Sequence, residues 1–409
     1  MKKNIILTIM AAAALSISAQ VQPGIEVLRE NNFDILRGKR VGLITNPTGV
    51  DNNLKPTVDI LSEAPEVELV ALYAPEHGVR GDFHAGDKVE NAVDSATGIP
   101  VYSIYGKHRK PSPEMLKDID VLVYDVQDNG CRSFTFISSM GNAMEACAEL
   151  GKEFVVLDRP NPINGNKIEG NLTEPDCISF VSQFAIPYLY GLTPGELARY
   201  LNEEGLLKNG VKADLKVVPM KGYERSMDFR ATGMPWVLPS PHMPTPETAV
   251  YYPVSGILGE LYCISIGVGY TMPFKLFGAD WIDAQRLAKR LNNRNLPGLE
   301  FRPIYFKPFY STGQGKNYEG VEVYVTDVDK APLSLTQFYV MEELAEMYPD
   351  KKIFDIASEK RFSMFDKVCG SKEIRRRFTK RYKTADIEDY WNKDNETFRA
   401  ASQKYHIYK

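Results

Sequence analysis

Short apolar runs recur through the first 160 residues, and each stops at a polar cluster. Residues 40–44, 67–73, 101–105, 121–124 and 154–157 are rich in Val, Leu, Ile and Tyr. Apolar, often β-branched runs of this length match strands buried on both faces. Between the last two runs, residues 133–150 carry Phe136, Met140, Met144, Cys147 and Ala148 near a 3.6-residue period, which predicts a helix. The alternation predicts an α/β fold whose parallel, Rossmann-like sheet covers roughly residues 23–190. No GxGxxG follows the first run, so no dinucleotide site is inferred.

Further along, Thr193-Pro194-Gly195-Glu196 is a capping box with proline at the first helical position, and the helix it opens ends near Gly205. Residues 231–255 hold six prolines, from Pro235 to Pro253, and predict an ordered irregular loop or an interdomain crossing. Residues 257–270 and 320–325 predict strands, and residues 283–291 and 335–347 predict helices.

A chain of 409 residues has room for two domains. Its net charge of −4 gives no electrostatic reason to expect nucleic acid. The basic cluster Arg375, Arg376, Arg377, Lys380 and Arg381 reads as a solvated helix face. Lys2 and Lys3, the apolar run 5–15 and the small residues Ser16, Ser18 and Ala19 make residues 1–20 a signal peptide. The run is too short for a membrane anchor, and no cysteine near the cleavage site invites lipidation. The expected location is the periplasm or the medium. Five cysteines, none in CxxC or Cys/His zinc spacing, predict buried free thiols or one or two pairs, with no metal site. No cofactor is expected.

In open α/β sheets, ligands bind outside the carboxyl ends of the strands, and there the polar clusters lie. Pro75-Glu76-His77-Gly78-Val79-Arg80-Gly81 follows the second run. Glu76 is the candidate general acid, with His77 orienting it or titrating itself; the structural alternative is a helix cap and a packed ring. Asp125-Val126-Gln127-Asp128-Asn129-Gly130-Cys131-Arg132 follows the fourth run. Asp125 and Gln127 would face one way, and Asp128 would activate water or steady a positive centre. Arg132 would hold an anion, or pair with Asp128.

Asp158-Arg159-Pro160-Asn161-Pro162 follows the fifth run and offers fixed planar groups suited to sugars and carboxylates, unless Asp158 only closes its own loop. Asn46, where the first run ends, and Tyr190 are further binding candidates. The rigid segment from Trp236 to Thr248 offers His242 as part of a cleft wall or serves as a structural crossing. The absence of GxSxG, HExxH and GxxxxGK[ST] argues against an α/β-hydrolase, a zincin and a P-loop NTPase.

Taken in order, these motifs resemble the exo-β-N-acetylmuramidases, a family long described as a domain of unknown function. The resemblance also rests on Gly191-Leu192-Thr193-Pro194-Gly195-Glu196, on Pro273-Phe274 with Gly278, Ala279 and Trp281, and on the segment 398–408. It implies a Rossmann-like catalytic domain over residues 21–235, a smaller α/β domain over 236–409 and a cleft between them. The implied reaction releases terminal β-linked N-acetylmuramic acid from the non-reducing ends of peptidoglycan fragments during cell-wall recycling. Glu76 would protonate the leaving oxygen, and Arg80, Arg132 or Arg159 would hold the lactyl carboxylate. The 2-acetamido group could attack the anomeric carbon itself, with Asp125 or Asp128 holding its amide.

The sequence departs from the family pattern at four places. Ile266 and Val268 stand where a glutamate and an arginine are usual, Tyr190 replaces a histidine and His242 an asparagine. An exo-glycosidase on another 2-acetamido sugar, an esterase and a non-catalytic glycan-binding module are therefore the competing readings. Catalysis requires Glu76 to face an open pocket, and the Asp125/Asp128 loop is expected opposite it.

Overall fold

The computed structural model describes residues 20–81 and 91–409; residues 1–19 of the expected signal segment lie outside the described residues. The five apolar runs form strands β1 (Arg40–Thr45), β2 (Glu68–Ala74), β4 (Pro100–Ser103), β5 (Val121–Asp125) and β6 (Glu153–Leu157). A two-residue edge strand, β3 (Ala92–Val93), pairs antiparallel with β4. Strands β7 (Ile168–Glu169) and β8 (Leu189–Tyr190) make a separate antiparallel ribbon. Strand β9 (Asp214–Val218) completes the main sheet, whose order is β3-β4-β2-β1-β5-β6-β9. Every pairing but that of β3 is parallel. The strand order therefore reverses between β1 and β5, the switch point of a doubly wound sheet.

Helices α1 (Gly24–Glu30), α2 (Thr57–Glu63), α3 (Pro113–Leu116), α4 (Phe136–Leu150) and α5 (Pro194–Glu203) belong to this first domain. The α5 capping box forms: Thr193 accepts from the Glu196 amide and Glu196 from the Thr193 amide. Packing on both faces explains why β5 is buried at every position and carries no alternation.

The second domain departs from expectation at its start. Residues 257–270 were expected as a strand, but α6 (Glu247–Gly259) runs through Pro253 and is followed by irregular chain. A proline removes a helical donor. The Gln337 side chain holds the later turns of α6, donating to the Pro253 carbonyl and accepting from the Leu258 amide, at 3.0 and 2.8 Å. After α6 comes an antiparallel sheet, β10 (Leu276–Ala279), β11 (Leu299–Phe306) and β12 (Tyr318–Val325), with β12 central. Along β11, Leu299, Phe301, Ile304 and Phe306 are buried while Glu300, Arg302 and Tyr305 face water. Helices α7 (Ala284–Asn292) and α8 (Thr336–Met347) complete the layer on the buried side.

Among the contacts that fasten the domains are those of Arg132 and of the C-terminal segment. Arg132 is fully buried and donates to the carbonyls of Asn171, Ile186, Val368 and Cys369 and to the Ser182 hydroxyl. The chain then returns to the first domain, where Phe398 and Tyr405 join its core. Ile407 donates to Glu196, Tyr408 to Asp158, and the Arg225 amide to the Lys409 carbonyl. All five cysteines are free thiols. Among the described residues no helix is long and apolar enough to cross a membrane, and no cluster of acidic, His and Cys side chains could hold a metal ion.

Candidate active site

A cleft of about 520 Å³ opens where the first domain's strand ends meet the second domain. Glu76 and His77 line it just after β2. His77 has φ 75° and Gly78 φ 79°, a left-handed pair that turns the chain sharply. Such backbone is costly for a residue with a Cβ and gathers at functional sites. The Glu76 carboxylate is braced from two other strand ends. The Tyr105 hydroxyl, beyond β4, donates to Oε1 at 2.7 Å, and Thr135 Oγ1, at the N-cap of α4, donates to Oε2 at 3.0 Å. Burial, reinforced by the Glu76 charge, holds the Tyr105 phenol well above its usual range, so it remains a donor.

The facing wall comes from α6 and the chain beyond it. Tyr252 and Glu260, two turns apart on one helical face, both line the cleft. The Tyr252 hydroxyl meets Ser133 Oγ at 3.2 Å, and its ring packs edge-on against Phe134 and Phe274. Burial holds this phenol above its usual range, and the charges of Glu260 and Glu76 add to the effect, so both carboxylates lie within electrostatic reach of it. Arg361 donates to Glu260 Oε2 at 2.7 Å and to its carbonyl at 2.7 Å. Burial nonetheless lifts the Glu260 carboxyl above the ordinary range. His242 lines the same wall and shares a 2.7 Å hydrogen bond with the Tyr310 hydroxyl. Beyond Tyr252 and Glu260 the cleft continues into a side compartment of about 240 Å³. Ile264, Ile266, Val268 and Tyr262 line it, so two of the departures from the family pattern face this space.

Other candidates do not reach the cleft. Asp125 is fully buried: Arg159 donates to it from Nε and Nη2, and Thr57 from its hydroxyl. Arg159 also reaches the Val50 carbonyl, and Thr45 the Asp125 carbonyl. Together they plug the crevice at the switch point, where a dinucleotide would lie in a nucleotide-binding relative of this fold. Asp128 also turns inward, accepting from the Tyr190 hydroxyl and the Gly130 amide. Its Oδ1 has no partner, and burial pushes its carboxyl up to about 6. Neither aspartate lines the wall opposite Glu76, which corrects the expectation from the sequence; among the described residues the carboxylate there is Glu260.

Gln127 spends its amide on the Asp128 and Pro160 carbonyls, and Asn161 on the Leu192 carbonyl. Asp158 accepts from Thr193, Gly195 and Tyr408 and fastens α5; burial pushes it up to about 7. Asn46 closes its own turn by accepting from Thr48. Arg80 is bound to Asp94 and Asp59 beside a separate hollow that Asn46 also lines. Of the three arginines expected to hold a substrate carboxylate, Arg80 is paired, Arg132 is enclosed by carbonyls and Arg159 is held by Asp125. The sequence reading missed Tyr105, Arg109, Thr135, Tyr252, Glu260 and Lys367, all on the cleft wall. The spacing of Tyr252, Gly256 and Glu260, each four residues apart, was the available signal of a helical face.

Comparison with known proteins agrees with this architecture. The N-terminal model of the exo-β-N-acetylmuramidase NamZ family matches residues 41–247, and its C-terminal model matches residues 250–408. The peptidoglycan β-N-acetylmuramidase NamZ of Bacillus subtilis (strain 168) is 46% identical over 389 residues, covering 95% of this chain and 92% of that one. A DUF1343 family protein from Bacteroides fragilis NCTC 9343, known from its crystal structure, is 62% identical with a TM-score of 0.92, covering 95% of this chain and 99% of its own. A second one from that organism is 28% identical with a TM-score of 0.73, over 96% and 99% of the two chains.

Proposed function

The chain belongs to the NamZ exo-β-N-acetylmuramidase family, and from that membership we propose that Glu76 is the proton donor with which it cleaves its substrate. The protein is a glycoside hydrolase that releases N-acetylmuramic acid from the ends of peptidoglycan fragments. The observation carrying the assignment is the Glu76 carboxylate on the cleft wall, braced by the Tyr105 and Thr135 hydroxyls.

Glycoside hydrolysis needs a proton on the leaving oxygen and stabilisation of the positive charge growing at the anomeric carbon. Glu76 supplies the proton. Glu260 is the second carboxylate, half-buried on the facing wall and steadied by Arg361. If the 2-acetamido group attacks, Glu260 and the Tyr252 hydroxyl are the groups available to hold its amide, the part that Asp125 and Asp128 do not reach. His77 lies against Glu76 in sequence and orients the acid. His242 and the side compartment serve the sugar on the other side of the bond. The basic, apolar and small residues of segment 1–20 support export to the periplasm or the medium, where such fragments arise in cell-wall recycling.

The test is hydrolysis of a chromogenic β-N-acetylmuraminide beside the matching β-N-acetylglucosaminide, for wild type and Glu76→Gln. Cleavage of the muraminide alone, reduced by roughly 10²- to 10⁴-fold in the variant, is expected. Full activity of Glu76→Gln would remove the acid assignment.

A further inference from the structure

The three arginines that the sequence offered for the substrate's carboxylate are all committed elsewhere, yet among the described residues the cleft contains two other permanent cations. Arg109 lies on the first domain's wall and Lys367 on the second's. Among the described residues neither enters an ion pair. The Arg109 guanidinium stands 4.4 Å from the centre of the Phe180 ring. Phe180 in turn packs against Tyr105, with ring centres 6.2 Å apart, and Tyr105 donates to Glu76. Arg109 is thus two side chains away from the acid, on the same wall.

We propose that Arg109 and Lys367 form the carboxylate subsite that reads the lactyl group of the muramyl substrate. This rests on the muramidase reading above. N-acetylmuramic acid differs from N-acetylglucosamine by the lactyl ether on C3, two carbons from the anomeric centre. The cation that reads it must therefore share the cleft with the acid without touching it, which is where Arg109 stands. Stacking on Phe180 fixes the guanidinium plane and leaves its edge N–H groups to meet both carboxylate oxygens, the geometry for which arginine is suited. Lys367 adds a point charge from the other domain, so a bound lactyl group is gripped from both sides. Glu260 does not cancel this charge, because its own cation is Arg361.

Binding, rather than turnover, tests the subsite, since it is readable whether or not the chemistry proceeds. Calorimetric titration would use N-acetylmuramic acid, its lactyl methyl ester and N-acetylglucosamine, with wild type, Arg109→Met and Lys367→Met. Wild type is expected to bind the free acid roughly 10-fold or more tightly than the ester, the range of a hydrogen bond to a charged group. Each variant should bring that ratio toward one, and Arg109→Lys should restore part of it. An acid-to-ester ratio near one in wild type, or a ratio that survives both substitutions, overturns the subsite. Failure to cleave the muraminide with the ratio intact would instead sink the hydrolase assignment and leave the subsite standing. Arg109 is exposed and outside both cores, so its loss does not threaten the fold.

Discussion

Arg132 and Gly370 belong to different domains, yet a Cβ built on Gly370 would come within 2.4 Å of Arg132 Nη2. The glycine is also held at φ +73°, where side chains are strained. A buried arginine with no acidic partner is stable only because carbonyls surround it; burial lowers its guanidinium to about 10, so it stays charged at neutral pH. Gly370→Ala should therefore destabilise by about 1–3 kcal/mol. Arg132→Met, which strands several buried carbonyls, should destabilise by about 3 kcal/mol or more, given about 1–3 kcal/mol for each one left unsatisfied. Urea unfolding measures both, and an unshifted midpoint in either variant would mean that the domain junction tolerates rearrangement.

Glu260→Gln should lower kcat by roughly 10²-fold or more, because the substitution removes the carboxylate facing Glu76 while keeping its shape. The Glu260 carboxyl is raised by burial, with Arg361 opposing. If it acts as the anion, the acidic limb of the kcat/KM profile lies above the ordinary carboxylate range, and the limb shifts in the variant. A variant with wild-type kcat would return the second carboxylate to another residue.

Tyr105→Phe deletes one of the described hydroxyls that donate to Glu76 and leaves the ring in place. The expected result is a fall in kcat of roughly 5- to 20-fold with little change in KM, the loss of a neutral-to-charged hydrogen bond. Steady-state kinetics decides it, and a change confined to KM would make Tyr105 part of substrate binding only.

Asp128 gives a stability signal of definite sign. Its folded-state pKa, about 6, lies above the ordinary 3.8 because burial penalises its charge. The folded protein thus holds this proton more tightly than the unfolded chain does. The contribution is fully present below pH 4 and is lost as pH rises through 6. Wild type minus Asp128→Asn, compared by urea unfolding at a series of pH values, should fall between pH 4 and 7 and then level off. A difference that grows across that interval would show an ionised aspartate.

The sheet was legible because β1, β2, β4, β5 and β6 are covered on both faces and read as unbroken apolar runs. Strand β9 was not: it lies at the sheet edge, and its alternating pattern, with Asp214 and Lys216 turned toward water, has no such run. The switch-point residues were legible as a set but not in purpose. Asp125, Arg159 and Thr57 are polar for one another, and sequence does not reveal that a carboxylate and a guanidinium over thirty positions apart will neutralise each other. The second wall was hidden because residues 257–270, apolar and rich in isoleucine, resembled a strand, while Pro253 argued against the helix that carries Tyr252 and Glu260.

The segment that returns to the first domain sets an order of events during synthesis. Asp158 receives the Tyr408 hydroxyl from 250 positions further along. Until that tyrosine has left the ribosome, the anchor of α5 lacks one of its donors and the core around Phe398 and Tyr405 stays open. The half of the molecule made first is therefore finished last, after α6 and the rest of the cleft's second wall have been made.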